Sequence, residues 1–129
     1  MPCIDSVAIV VEDMARTLGF YRLLGFDIPG AADNERYVTI DLEGGMRFEW
    51  NIEEVERSFN PGWQSPPIAG RMGITLRCEN AAEVDTVYGR IVGAGFEDGL
   101  EPFDAPWGSR HCRILDPDGN AIDLFAPLP

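Results

Sequence analysis

Residues 107–125 read W-G-S-R-H-C-R-I-L-D-P-D-G-N-A-I-D-L-F, and this stretch decides the fold. Its centre, residues 116–120, is typical of a turn, because proline presets φ, glycine permits positive φ, and Asp and Asn side chains bond to nearby backbone. Strand-like runs lie on both sides, which predicts a hairpin. On the second arm Asp123 lies between Ile122 and Leu124, and strand alternation puts its carboxylate on the opposite face from theirs.

The rest of the chain repeats one pattern of strand, helix and short strands. Residues 6–13 align with residues 73–80, and residues 47–50 align with residues 121–124. Each predicted helix is followed by Gly-Phe. A period of about 60 residues is longer than those typical of solenoids. We therefore predict two copies of one βαβββ module, which places Glu49 and Asp123 at equivalent positions.

The predicted class is α+β, in a single domain of modules 1–55 and 70–129. Residues 56–69 join them as a linker, because Pro-Gly and Pro-Pro pairs interrupt any regular pattern there. Each module is expected to have a short strand directly after its helix, at residues 26–28 in the first and starting at Phe96 in the second. Asn80 followed by Glu83 predicts a capping box at the second helix.

Composition limits the possible functions of the chain. Its 129 residues are enough for one domain with its own core. A net charge of -12, from 22 acidic and 10 basic residues, argues against nucleic acid as a partner. The sequence has neither a long apolar run nor the features of a signal peptide, and its three cysteines have no metal-like spacing. We expect a cytoplasmic protein with free thiols that does not associate with membranes.

Taken together, these motifs resemble the vicinal oxygen chelate superfamily, which includes glyoxalase I, extradiol dioxygenases, and fosfomycin and bleomycin resistance proteins. The resemblance rests on the paired βαβββ modules, on F-Y-R-L-L-G-F at residues 20–26, and on D-P-D-G-N at residues 116–120. It covers almost the whole chain. It implies a curved mixed sheet around a cleft, with one module lining each side.

The metal positions of that superfamily correspond here to Ser6, Glu49, Gly73 and Asp123. This is a departure from the pattern, because glycine has no ligand to offer, a neutral serine is a poor one, and His111 lies on a different strand. We therefore predict no metal site and no cofactor. A divalent ion held by Glu49, Asp123 and waters remains the alternative.

The metal-free relatives are the bleomycin resistance proteins, small acidic dimers that sequester a cationic drug. Pro106, Trp107 and Gly108, one strand before D-P-D-G-N, resemble that group. The resemblance implies that Trp107 stacks on a flat ligand and that the chain forms a homodimer. The two strand acids, Glu49 and Asp123, would either attract a cationic ligand or act as general acid and base, unless they lie on a solvated strand face.

Four further residues are candidates for the ligand-binding cleft. Thr75 and Arg77 share the strand face of Gly73, and the alternative for Arg77 is that it pairs with an acid there. Trp63 in the linker is either a lid or stacking residue, or a dimer contact or a cap over the core. His111 is either a proton shuttle or, more often for a lone strand histidine, a structural residue.

The sequence thus predicts a small-molecule-binding protein without a metal, which binds or sequesters an aromatic or cationic ligand. The alternative is an enzyme: a glyoxalase-like lyase or isomerase, or a dioxygenase with an atypical divalent-metal site. No catalytic residue is assigned.

Overall fold

A computed structural model describes residues 1–66 and 71–129, which form two compact units. One unit comprises Met1–Arg22 and Phe26–Ser65, and the other comprises Leu23–Gly25 and Pro66–Pro129. The first contains β1 (Ser6–Val11), all but the last residue of α1 (Met14–Leu23), β2 (Tyr37–Asp41), β3 (Arg47–Ile52) and α2 (Glu53–Phe59). The second contains β4 (Gly73–Arg77), α3 (Ala81–Gly93), β5 (Asp98–Asp104), β6 (Ser109–Leu115) and β7 (Ala121–Pro127). Within these described ranges, every helix is too short or too polar to cross a bilayer.

The first unit packs a three-stranded sheet, in the order β1-β3-β2, against an aromatic core. β3 is parallel to β1 and antiparallel to β2. Trp50 is fully buried and stacks on Phe48 at 4.4 Å between ring centroids. Tyr21 of α1 lies across both rings, at 5.2 and 5.3 Å. This packing turns the other face of β3, which carries Glu49, away from the core.

The second unit contains a four-stranded sheet in the order β4-β7-β6-β5, and its hairpin is confirmed. Asp116 closes the turn between β6 and β7, because one of its carboxylate oxygens accepts from the backbone N–H groups of Asp118 (2.9 Å) and Asn120 (2.8 Å). Gly119 adopts φ +84°, the left-handed conformation that its position in the turn predicted.

α3 covers one face of this sheet with its buried residues Val84, Val87 and Ile91. Asn80 caps the helix, accepting from the N–H of Glu83 at 2.9 Å. The capping box is only half formed, because the Glu83 carboxylate accepts from the N–H of Glu79 instead of that of Asn80.

Three details of the secondary structure differ from the prediction. Residues 26–28 form no strand, so two strands rather than three follow the first helix. The carbonyls of Ile28 and Pro29 there accept from the Arg22 guanidinium, at 2.9 and 2.7 Å, instead of from a neighbouring strand. The short strand of the second unit begins at Asp98, not at Phe96.

The predicted linker contains regular structure, because α2 occupies Glu53–Phe59. Residues 67–69 of that linker, and residue 70 at the start of the second predicted module, lie outside the described residues. These differences leave the α+β class intact, and it is confirmed.

Candidate binding face on the second unit

One face of the four-stranded sheet carries most of the residues that the sequence singled out. α3 lies on the opposite face, where Arg110 of β6 donates to Asp85 of the helix at 3.0 Å. Since side chains alternate along a strand, the face away from α3 carries the neighbours of Arg110 in β6 and their cross-strand partners. We call the central part of this surface the polar face, and define it as Gly73, Thr75, Arg77, Phe103, His111, Arg113, Asp123 and Phe125.

The register orders these side chains into two rows across the strands. Arg77 pairs with Phe125, Phe125 with His111, and His111 with Phe103, so that one residue from each of the four strands forms the first row. A second row, two residues along, contains Thr75, Asp123 and Arg113. The predicted set of Gly73, Thr75, Arg77, His111 and Asp123 is therefore brought together on one surface.

Asp123 is the centre of an ion-pair network on this face. Its Oδ1 accepts from Nε of Arg113 at 2.6 Å, and its Oδ2 accepts from Nη2 of the same residue at 3.1 Å. Nε2 of His111 lies 3.0 Å from Oδ2. Burial acts to raise the pKa of Asp123, but the hydrogen bonds and charges of Arg113 and His111 outweigh it and hold the pKa below 3.8. The carboxylate is thus ionised, and the guanidinium of Arg113 in direct contact with it offsets its negative charge.

The equivalent acid of the first unit has a similar partner. The Glu49 side chain is 13% exposed and lies 3.1 Å from Nη2 of Arg47, which also binds Asp5 at 2.6 Å. Ser6 pairs with Arg47 across the strands and therefore lies on the same sheet face as Glu49. Both strand acids are thus paired with arginine.

This donor set does not fit the metal of the vicinal oxygen chelate pattern. Gly73 offers no ligand, and in Asp123 the two oxygens that a metal would need already accept from Arg113. No group of three His, Cys, Asp or Glu side chains within 1–66 and 71–129 is arranged to hold a metal ion. A metal at Asp123 would have to displace the Arg113 guanidinium, so we assign no chemical step to a metal ion at this site.

Trp107 extends the first row beyond its last strand. It lies in the tight turn between β5 and β6, which the Gly108 N–H closes by donating to the Ala105 carbonyl at 3.0 Å. The indole is 66% exposed and meets His111 and Phe103 edge-on, with ring centroids 5.7 and 6.2 Å away. A flat molecule can reach an aromatic ring held in this way without displacing core residues.

The remaining candidates are placed differently. Trp63 belongs to the first unit, where the Arg57 guanidinium of α2 lies 5.3 Å from its ring, and its role as a lid stays a prediction. In His111, Nδ1 is buried and has no hydrogen-bond partner among the described residues. Cys112 points to the opposite face from His111 and is fully buried, and burial raises the pKa of its thiol to about 12. Cys112 and His111 therefore do not form a pair.

Sequence reasoning missed two residues of the polar face, Phe103 and Phe125, and it missed Gly99, which lies beside the Arg113 stem. A Cβ atom on Gly99 would lie 2.8 Å from Cγ of Arg113, so the absence of a side chain there lets the arginine stem pass towards Asp123. The pairing of Arg113 with Asp123 follows from the register of the hairpin between β6 and β7. Leu115 pairs with Ala121 next to the turn, so counting two residue pairs outward from there would have predicted that Arg113 lies opposite Asp123.

The fold occurs in many solved structures. A glyoxalase/bleomycin resistance protein/dioxygenase family enzyme from Burkholderia phytofirmans matches with a TM-score of 0.81 at 18% identity, covering 96% of this chain and 98% of that one. A glyoxalase-related enzyme from Fulvimarina pelagi matches with 0.81 at 16% identity, covering 98% and 88%. A superfamily member from Sphaerobacter thermophilus matches with 0.67 at 26% identity, covering 98% of both chains.

No curated protein matches this chain. Comparison with sequence families, by contrast, gives a match that runs from residue 3 to residue 124 and so includes both units. On that match and the fold just described, the chain belongs to the Glyoxalase/Bleomycin resistance protein/Dioxygenase superfamily.

Proposed function

We propose that this protein binds, and thereby sequesters, a small aromatic molecule on the polar face, with Trp107 as the main contact and with no metal. The observation that carries the proposal is the exposed indole, held edge-on against His111 and Phe103 at the end of the first row. Aromatic pairs in such geometry are favourable by about 0.5–1.5 kcal/mol beyond the area they bury.

The charges support an aromatic ligand more than a cationic one. The acid expected to attract a cation, Asp123, already accepts twice from Arg113. A cationic ligand would have to compete with that guanidinium, which is part of the folded protein and always charged. An aromatic ligand that stacks on Trp107 has no such competitor for its binding site.

The proposal can be tested by calorimetric titration with 2-naphthamide, a neutral two-ring probe. Trp107→Ala should weaken binding about tenfold, as expected for the loss of one stacking ring. Phe59→Ala is the matched control, because Phe59 is an equally exposed aromatic residue (69%) on α2 of the first unit. Undiminished binding by the Trp107 variant, or equal losses in both variants, would refute the proposal.

The enzyme alternative makes a different prediction. If Glu49 or Asp123 held a catalytic Mn²⁺, Fe²⁺ or Ni²⁺, adding that metal would raise the melting temperature of the wild-type chain by mass action, and Glu49→Gln or Asp123→Asn would abolish the rise. We expect no metal-dependent shift, because a metal must first break an arginine pair at either acid.

Two further properties belong to the same proposal. We propose that the protein is a cytoplasmic homodimer, in line with the bleomycin resistance proteins that its sequence resembles. Sedimentation equilibrium at micromolar concentration should give twice the mass of the chain, and a monomeric mass would contradict the proposal.

A further inference from the structure

We propose that the aromatic ligand of the polar face carries a carboxylate, and that Arg77 binds this group. The proposal rests on the proposed function, since it concerns the same surface, and it specifies the chemical class of the ligand as an aromatic monocarboxylate.

Arg77 differs from the other arginines of its sheet. It lies at the end of β4, which is an edge strand, and its side chain is exposed. Its guanidinium is 5.8 Å from the Phe125 ring and has no hydrogen bond or ion pair with any side chain in residues 1–66 and 71–129. Arg110 and Arg113, in contrast, are both paired with aspartates. In a chain with 22 acidic residues, this leaves one cation on the polar face unmatched.

The position of Arg77 fits a ligand that is aromatic at one end and charged at the other. It begins the row that continues through Phe125 and His111 to Phe103, with Trp107 against the far end. Neighbouring strands lie about 4.8 Å apart, so Arg77 is about 10 Å from His111 along this row. A flat two-ring acid can therefore lie along the row with its rings towards the indole and its carboxylate at the guanidinium.

The charge balance of the face favours a single negative charge on the ligand. The charges of Asp123 and Arg113 offset each other through two short hydrogen bonds, which leaves the Arg77 charge uncompensated. A guanidinium donates two parallel N–H bonds to the two oxygens of a carboxylate. A ligand with an amine or a neutral amide in place of the carboxylate lacks this pair of acceptor oxygens. Thr75 lies two residues before Arg77 on the same face, and its exposed hydroxyl is a further donor there.

The experiment compares three probes that share one ring system: 2-naphthoate, 2-naphthamide and 2-naphthylmethylammonium. Affinities are measured by calorimetry at low salt and in 0.5 M NaCl. We expect 2-naphthoate to bind five- to tenfold more tightly than the amide at low salt, with the advantage reduced by salt, as for any exposed ion pair. The cationic probe should bind more weakly than the amide.

The decisive variant is Arg77→Gln, which should remove the preference for the carboxylate while leaving the affinity for the amide unchanged. Arg77→Lys should keep part of the preference, because it retains the charge but not the planar pair of donors. Arg90→Gln is the control: it makes the same change of charge on α3, on the other side of the sheet, and should bind all three probes like the wild type.

The outcomes separate this proposal from the proposed function. If carboxylate and amide bind equally and both depend on Trp107, the aromatic site stands and the carboxylate proposal is wrong. If Arg77→Gln and Arg90→Gln lower the affinity for 2-naphthoate equally, only the net charge matters and Arg77 is not the binding group. If none of the probes binds, both proposals fail.

Discussion

Replacing Asp123 by asparagine keeps the size of the side chain but removes the charge that Arg113 and His111 share. The wild-type carboxylate makes three contacts, at 2.6, 3.1 and 3.0 Å, with only 15% of the side chain exposed. Hydrogen bonds to charged groups each contribute about 1.5–3 kcal/mol when buried, whereas exposed ion pairs contribute about 0–1 kcal/mol. Because Arg113 is 42% exposed, we take the low end and expect a loss of about 2 kcal/mol.

The assay is urea unfolding followed by far-ultraviolet circular dichroism, together with a thermal melt. For a chain of this length, 2 kcal/mol corresponds to a decrease of about 8 °C in Tm. Asp85→Asn is the matched control on the opposite face, where the aspartate is 51% exposed and pairs with Arg110, and it should shift the midpoint much less.

The stability lost in Asp123→Asn must also depend on pH, and it must decrease in acid. The folded-state pKa of Asp123 lies below its ordinary value of 3.8, so the ionised carboxylate stabilises the protein above pH 3.8, and this contribution is lost as the pH falls through the lowered pKa. The difference between wild type and Asp123→Asn should be complete at pH 7 and shrink below about pH 3.8. An unchanged urea midpoint at pH 7, or a difference that persists undiminished in stronger acid, would refute the reasoning.

Three further predictions concern the framework of the fold. Asn80→Ala removes the α3 cap and should cost about 1 kcal/mol in urea unfolding, and an unchanged midpoint would contradict the role of the cap. Gly119→Ala should destabilise the folded protein by about 1 kcal/mol, because φ at this position is +84°. Gly89→Ala in α3 should stabilise it by a similar amount, because the new methyl group meets no atom within 4 Å. Urea midpoints of the two variants that move in the same direction would contradict this prediction. A thiol reagent at pH 8 should label one cysteine in the folded protein, the exposed Cys3, and three in urea, since burial raises the pKa of the other two thiols to about 11 and about 12; labelling of more than one in the native state would contradict this.

The elements that the sequence predicted well are those with strong local signals. The turn at residues 116–120 forms because Asp116 and Gly119 meet backbone demands that are specified within five residues. α3 has both a cap and an apolar stripe of helical period, so local propensity and burial favour the same structure.

The errors occurred where a local signal was weak or where the partner was distant. Phe26 and Ile28 suggested a strand at residues 26–28, but a strand forms only if a neighbour takes up its hydrogen bonds. Here the Arg22 side chain donates to the carbonyls of Ile28 and Pro29 instead. The alternating pattern of β7 indicated the face of Asp123, but the neutralisation of its charge depends on the cross-strand register with Arg113. The acid was therefore predicted in position but not in electrostatic character.

Gly99 has an evolutionary consequence. Any side chain at this position meets the Arg113 stem, with the first new atom 2.8 Å from its Cγ. A lineage that enlarges residue 99 must therefore shorten residue 113 or turn it away, and either change leaves the Asp123 carboxylate without its strongest partner. We expect the two positions to vary together among descendants of this protein, so that one glycine separates two chemical lineages: one whose acid is neutralised by arginine, and one whose acid keeps only the His111 contact and can select cations anew.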